Sequence, residues 1–101
     1  MFDNDKYMTT GIQQNIPLEL QLFMWNCINT LRNQSMQLDY LQVFELTKEK
    51  RDNIFFQKII HKQENPHYEI SYRLFPKEIV CKKIFVIDNN KYSTMLLSEE
   101  Y

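Results

Sequence analysis

The sequence predicts an α+β domain: one main helix packed on an antiparallel sheet of five or six strands, in the order β-α-β-β-β-β-β. Three observations carry this. Residues 17–33 hold one long helical pattern opened by a proline. Residues 40–97 break into five short runs rich in aromatic and β-branched residues, separated by charged, Asn- or Pro-containing turns. Strands and helices do not alternate, which argues against a doubly wound nucleotide fold, and one helix across one sheet face buries both. With 101 residues, 44% hydrophobic and 14% aromatic, the chain is expected to fold as a single domain, residues 1–101, and not to be disordered.

The first element runs from Lys6 to Ile12, with Tyr7, Met8, Thr9 and Thr10 as strand formers. Gly11 and then Gln13-Gln14-Asn15 are expected to break it. The helix starts near Pro17, which suits a first turn, and Glu19 places negative charge at the positive end of the dipole. It ends near Asn33, with Arg32 at the negative pole, and Asn33-Gln34-Ser35 reads as a loop.

Five strands follow. Tyr40 to Thr47 is ended by the charged turn Lys48-Glu49-Lys50-Arg51-Asp52. Asn53 to Gln63 comes next, then a hairpin turn at Glu64-Asn65-Pro66. His67 to Phe75 alternates Tyr68, Ile70, Tyr72 and Leu74 on one face with His67, Glu69, Ser71 and Arg73 on the other. Lys82 to Asp88 and Tyr92 to Leu97 complete the set, joined by Asn89-Asn90, a pair that tolerates positive φ. The unbroken apolar run Ile84-Phe85-Val86-Ile87 suggests burial on both faces.

At about 100° per residue, Leu20, Phe23, Met24, Cys27, Ile28 and Leu31 form the helix stripe that meets the sheet. Leu18, Leu22 and Trp25 form a second stripe on nearly the opposite side. Leaving three large apolar side chains wet forgoes roughly 5–9 kcal/mol, out of a total stability of about 5–15 kcal/mol. Something is therefore expected to cover them: the chain's own N-terminal segment (Phe2, Tyr7), the Met36–Leu38 loop, a second copy, or a foreign partner. Trp25 is the natural anchor of such an interface.

Little else points to chemistry. The single glycine, Gly11, excludes Gly-rich phosphate loops, and a net charge of −1 supplies no global basic field for nucleic acid. His61 and His67 flank the predicted turn. A zinc site would also need Cys81 with Glu64 or Glu69, and the plainer reading is two solvated histidines. Ser71, Ser93 and Cys81 have no nucleophile-elbow pattern around them. Asp88, Glu99 and Glu100 would have to cluster to do acid–base work or hold Mg²⁺. The basic runs Lys48-Glu49-Lys50-Arg51 and Lys82-Lys83 have acidic neighbours. Phe55, Tyr68 and Tyr72 are the aromatics that could stack bases. Cys27 and Cys81 read as two small buried hydrophobes in a reducing cytosol. No cofactor and no metal is expected.

The polar start Met1-Phe2-Asp3-Asn4-Asp5 is not a signal peptide, no run approaches a membrane span, and the Glu99-Glu100-Tyr101 ending matches no lipidation signal. A cytoplasmic protein that begins at its own Met1 and involves no membrane is the expectation.

Several segments carry a resemblance. They are Met1-Phe2-Asp3-Asn4 with Tyr7-Met8-Thr9, Ile16-Pro17-Leu18-Glu19-Leu20-Gln21, Asp39-Tyr40-Leu41-Gln42-Val43-Phe44, Ile84-Phe85-Val86-Ile87-Asp88 and Ser93-Thr94-Met95-Leu96-Leu97. Together they resemble DUF960, an uncharacterised family of Firmicutes, their phages and plasmids. The chain departs from that family at the Asn89-Asn90-Lys91 turn, where members tend to carry Gly or Asp. The resemblance implies no catalytic or binding residue. It implies a Gram-positive habitat, often on a mobile element, where small proteins frequently inhibit host machinery, as anti-CRISPR proteins do. That is an analogy of context. The leading expectation is a non-enzymatic interaction protein that binds and inhibits a host protein through Leu18, Leu22 and Trp25. A homodimer through the same face comes second, a nucleic-acid binder third, an enzyme last.

Overall fold

Side-chain alternation decides how this sheet is built. The computed structural model describes residues 1–101. Its elements are β1 (Asp5–Met8), α1 (Thr10–Asn15), α2 (Leu18–Asn33), β2 (Leu41–Arg51), β3 (Ile54–Gln63), β4 (Tyr68–Leu74), β5 (Lys82–Asp88), β6 (Tyr92–Leu97) and a 3-10 turn, Ser98–Glu100. The strands form one six-stranded sheet in the order β1-β6-β5-β2-β3-β4.

The α+β class and the main helix are as expected, with three corrections. The sheet is mixed, because β1 pairs parallel with β6 while every other pair is antiparallel. A short helix, α1, occupies the stretch expected to finish the first strand and break. The Thr9 hydroxyl caps α1 by accepting the Ile12 N–H at 3.3 Å. With that cap, Gly11 and Gln13-Gln14-Asn15 continue a helix instead of a strand.

The charged run 48–51 does not end β2. Lys48, Glu49 and Lys50 pair with Gln57, Phe56 and Phe55, and the turn is only Asp52-Asn53, both at positive φ. That is the conformation a two-residue type I′ hairpin requires. Asn90 likewise takes φ 77°, as its turn predicts. β5 lies between β6 and β2, with Ile84 and Val86 fully buried and Phe85 and Ile87 half-buried.

The core lies between α2 and one sheet face. Leu20, Met24, Cys27 and Ile28 meet Phe44, Leu46, Ile59, Ile84, Val86, Met95 and Leu97. Phe23 is half-buried and stands edge-on to Tyr72 at 5.1 Å. Phe2 is fully buried in the same cluster, at φ 60°. Its N–H donates to Asp88 Oδ2 at 2.9 Å and its carbonyl accepts from Arg32 Nη1 at 2.9 Å.

Six polar strand side chains also face inward, each from an alternating core position: Gln42, Gln57, His61, Gln63, Asp88 and Ser93. Gln57 acts as a strand would. Its Oε1 accepts the Val80 N–H (2.8 Å) and its Nε2 donates to the Val80 carbonyl (2.9 Å), stapling the loop before β5 to β3. Gln63 accepts from Asp39 N–H and Gln42 Nε2, and donates to the carbonyls of Gln37 and Pro66.

The cysteines part company. Cys27 is buried and burial pushes its thiol up to about 11 against a hydrogen bond with Tyr72, whereas Cys81 is exposed in the loop before β5.

Candidate protein-interaction site

The second helix stripe lies beside the β1 edge of the sheet. Lys6, Tyr7 and Met8 on one side and Leu18, Gln21, Leu22 and Trp25 on the other line a shallow groove of about 160 Å³. The Lys6 ammonium stands 5.6 Å from the centre of the Trp25 ring, which is half-buried. Leu18 stays 64% and Leu22 53% exposed.

Of the two expected self-covering segments, only the Tyr7 part of the N-terminal one reaches the stripe. Phe2 enters the main core, and Leu38 packs against that same core. Only β1 reaches the stripe, and it shields Trp25 alone among the three. Gln21 closes the groove floor, buried, donating to the Ile16 carbonyl at 2.8 Å.

β1 is also an open edge. All four of its residues are exposed, and it has one neighbour, β6. The Thr9 N–H donates to the Met95 carbonyl at 3.1 Å. Backbone groups alternate in direction along a strand, so Tyr7 shares Thr9's orientation and Lys6 and Met8 turn their N–H and C=O groups away from β6. Sequence reading found the helix stripe but not this edge, because a four-residue strand whose parallel partner lies 87 residues away has no local signature.

The other candidates are dispersed. His61 is fully buried, which corrects the reading of two solvated histidines; only His67 is exposed. His61 faces inward because it shares the alternation of Gln57, Ile59 and Gln63. Its ring stacks on Phe44 (centroids 4.3 Å apart) and its Nε2 bonds Gln42 Oε1 at 2.7 Å. Its Nδ1 has no partner, and burial lowers its pKa to about 4.

No three His, Cys, Asp or Glu side chains come together. Asp88 holds the N-terminal segment through Phe2 N–H and Asn4 Nδ2. Glu99 bonds Lys82 at 3.2 Å, and Glu100 bonds Thr9. Burial would raise the Asp88 pKa, but the Phe2 N–H, the Asn4 amide, the Asn90 N–H and the nearby α-amino group outweigh it and hold it below the usual range. Tyr68 and Tyr72 are half-buried against His61 and Phe23, so they do not form a base-stacking row with exposed Phe55. Ser71 is exposed and Ser93 is buried, its hydroxyl donating to Asn4 Oδ1. No helix is long and apolar enough to cross a membrane.

Comparison with known proteins agrees with this picture of the fold. A solved structure described as a protein of unknown function from Enterococcus faecalis superposes with a TM-score of 0.80 at 24% identity, covering 98% of this chain and 92% of the other. No curated protein matches the chain. A family described as a Staphylococcal protein of unknown function, DUF960, matches residues 5–100. The chain therefore belongs to the DUF960 family.

Proposed function

We propose that this chain is a non-catalytic interaction module that binds a partner protein through Leu18, Leu22 and Trp25. One observation carries the reading: two large, exposed leucines of α2 lie in a groove beside β1, an edge strand that turns the Lys6 and Met8 backbone groups away from its one neighbour. A partner strand added to that edge gains main-chain hydrogen bonds from β1 and seats side chains against the leucines. Inhibition of a host protein, in a Gram-positive cell or on its mobile elements, is the form such binding takes in the reading from family context.

The test compares retention of partners by the native chain and by a folded Leu18→Glu/Leu22→Glu variant. A retained protein is then purified and added back to the labelled chain. The reading requires that the purified partner bind the native chain, fail to bind the variant, and protect the Lys6 and Met8 amides from hydrogen exchange. Equal binding by the variant rejects the site.

The alternative is a homodimer through the same edge. In an antiparallel pair of β1 strands centred on Tyr7, Lys6 of each copy faces Met8 of the other, so the outward backbone groups match themselves. Sedimentation at high micromolar concentration decides it: twice the monomer mass supports this alternative, and a monomer excludes it as the stable state.

A further inference from the structure

The β2–β3 hairpin ends in a tip that combines exposed apolar side chains with cations. Its turn, Asp52-Asn53, has no slack, so the flanking side chains are fixed in register by the Arg51–Ile54 and Lys50–Phe55 pairs. Alternation sends Phe55 to one face of the ribbon and Ile54 and Phe56 to the other. Ile54 is 58% exposed and Phe55 49%; Phe75, which meets Phe56 at 6.3 Å, is 69% exposed.

Cations surround these groups. Lys48 and Lys50 stand 4.3 and 5.4 Å from the Phe55 ring centre, and Arg73 stands 4.7 Å from that of Phe56. Arg51 shares a surface hollow with Ile54, Phe56, Arg73 and Phe75. Hairpin residues 48–58 and Arg73 hold five basic side chains against two acidic ones, on a chain of net charge −1. The tip is therefore positive while the remainder is negative.

We propose that this tip docks on an anionic lipid bilayer surface. Charge complementarity favours an anionic partner, and the apolar geometry selects among anionic partners. A rigid protein surface can meet Phe55 or the Ile54/Phe75 side, but a fluid interface surrounds both. Base stacking is disfavoured because Lys48 and Lys50 already lie over the Phe55 ring and Arg73 over that of Phe56. The earlier expectation of no membrane rested on the lack of a spanning segment, which a protein lying on a membrane does not need. This surface is separate from the β1–α2 groove.

The experiment is co-sedimentation of the full chain with phosphatidylcholine vesicles, with and without phosphatidylglycerol. The expected result is binding only to the phosphatidylglycerol vesicles, weakened roughly fivefold for each of Lys48→Gln, Lys50→Gln and Arg51→Gln. A Phe55→Trp substitution, made on a Trp25→Phe background, adds a depth reporter: its emission shifts to the blue on those vesicles. Absence of co-sedimentation by the folded native chain overturns the proposal. So does binding indifferent to the three Gln substitutions. Binding of a single-stranded oligonucleotide through the same residues, with none to vesicles, assigns the tip to nucleic acid and likewise overturns it.

Discussion

The Glu100 carboxylate occupies the space that a Cβ at Gly11 would need: an ideal Cβ there would lie 2.5 Å from Oε2. The carboxylate accepts the Thr9 hydroxyl (2.7 Å) and the Leu97 N–H (2.8 Å). These bonds, with the Gly11 N–H, hold its pKa below the usual range. The chain's only glycine thus lets the C-terminal turn latch onto the start of α1. Gly11→Ala evicts a flexible side chain rather than backbone, and gains helix propensity of about 1 kcal/mol, so the two effects oppose. The informative measurement is a double-mutant cycle in urea. Glu100→Ala should destabilise the native chain and do nothing in the Gly11→Ala background; equal losses in both would show that the latch does not depend on the missing Cβ.

Phe2 should matter far more than its place near the terminus suggests. It is fully buried, and both of its backbone groups are held by side chains from distant elements, Asp88 and Arg32. Phe2→Ala should cost about 3–5 kcal/mol, as for other buried Phe truncations. Asp88→Ala, which leaves the buried Phe2 N–H unpaired, should cost about 1–3 kcal/mol. Thermal unfolding of both variants checks this. A Phe2→Ala transition within a degree of the native one would mean that the N-terminal segment is not docked in solution.

These long-range ties explain where sequence reading succeeds and where it stops. The α2 stripe and the β4 alternation are local patterns of period 3.6 and 2, and they are visible from Leu20 to Leu31 and from Tyr68 to Leu74. The second stripe was equally visible, because it is the same arithmetic on the same helix. What covers it was not. Phe2 was a plausible lid for Leu22, but it has a better place under Asp88, and only the fold brings that place into being. The inward glutamines and His61 were hidden for a related reason. A polar residue at a core position looks exposed until its partners, such as Val80 for Gln57, arrive from another part of the chain.

Charge placed on the groove should leave the fold intact. Leu18 and Leu22 are mostly exposed and leave no cavity, so Leu18→Glu and Leu22→Glu should change stability by no more than about 0.5 kcal/mol. Trp25 is half-buried and packs against the core, so Trp25→Glu should be clearly more costly. Urea titration of the three single variants tests the ranking. If Leu22→Glu proves as damaging as Trp25→Glu, the leucine is covered in solution and the groove is not free.

His61 should make the protein acid-sensitive well above the range in which carboxylates titrate. The hydrogen-bond network fixes its tautomer. Gln42 Nε2 donates to Gln63 Oε1 and the Asp39 carbonyl, so Gln42 Oε1 faces His61 as an acceptor and Nε2 of the ring carries the proton. A second proton must go to Nδ1, which is buried with no acceptor. Burial therefore lowers the folded pKa from 6.5 to about 4. A group whose pKa falls on folding is favoured neutral in the native state. Its contribution is complete above pH 6.5, shrinks as the pH falls, and is gone below the folded value. The gap corresponds to about 3 kcal/mol. Asp88 acts in the same direction but only at lower pH, since its folded pKa lies below 3.8. Unfolding free energy measured in urea should therefore drop between pH 7 and pH 5. His61→Phe keeps an aromatic ring on Phe44 but orphans Gln42 Oε1, so it should start about 1–3 kcal/mol less stable at pH 7. From there it should stay flat to pH 5. A native chain with equal stability at both pH values would place the imidazole in contact with water.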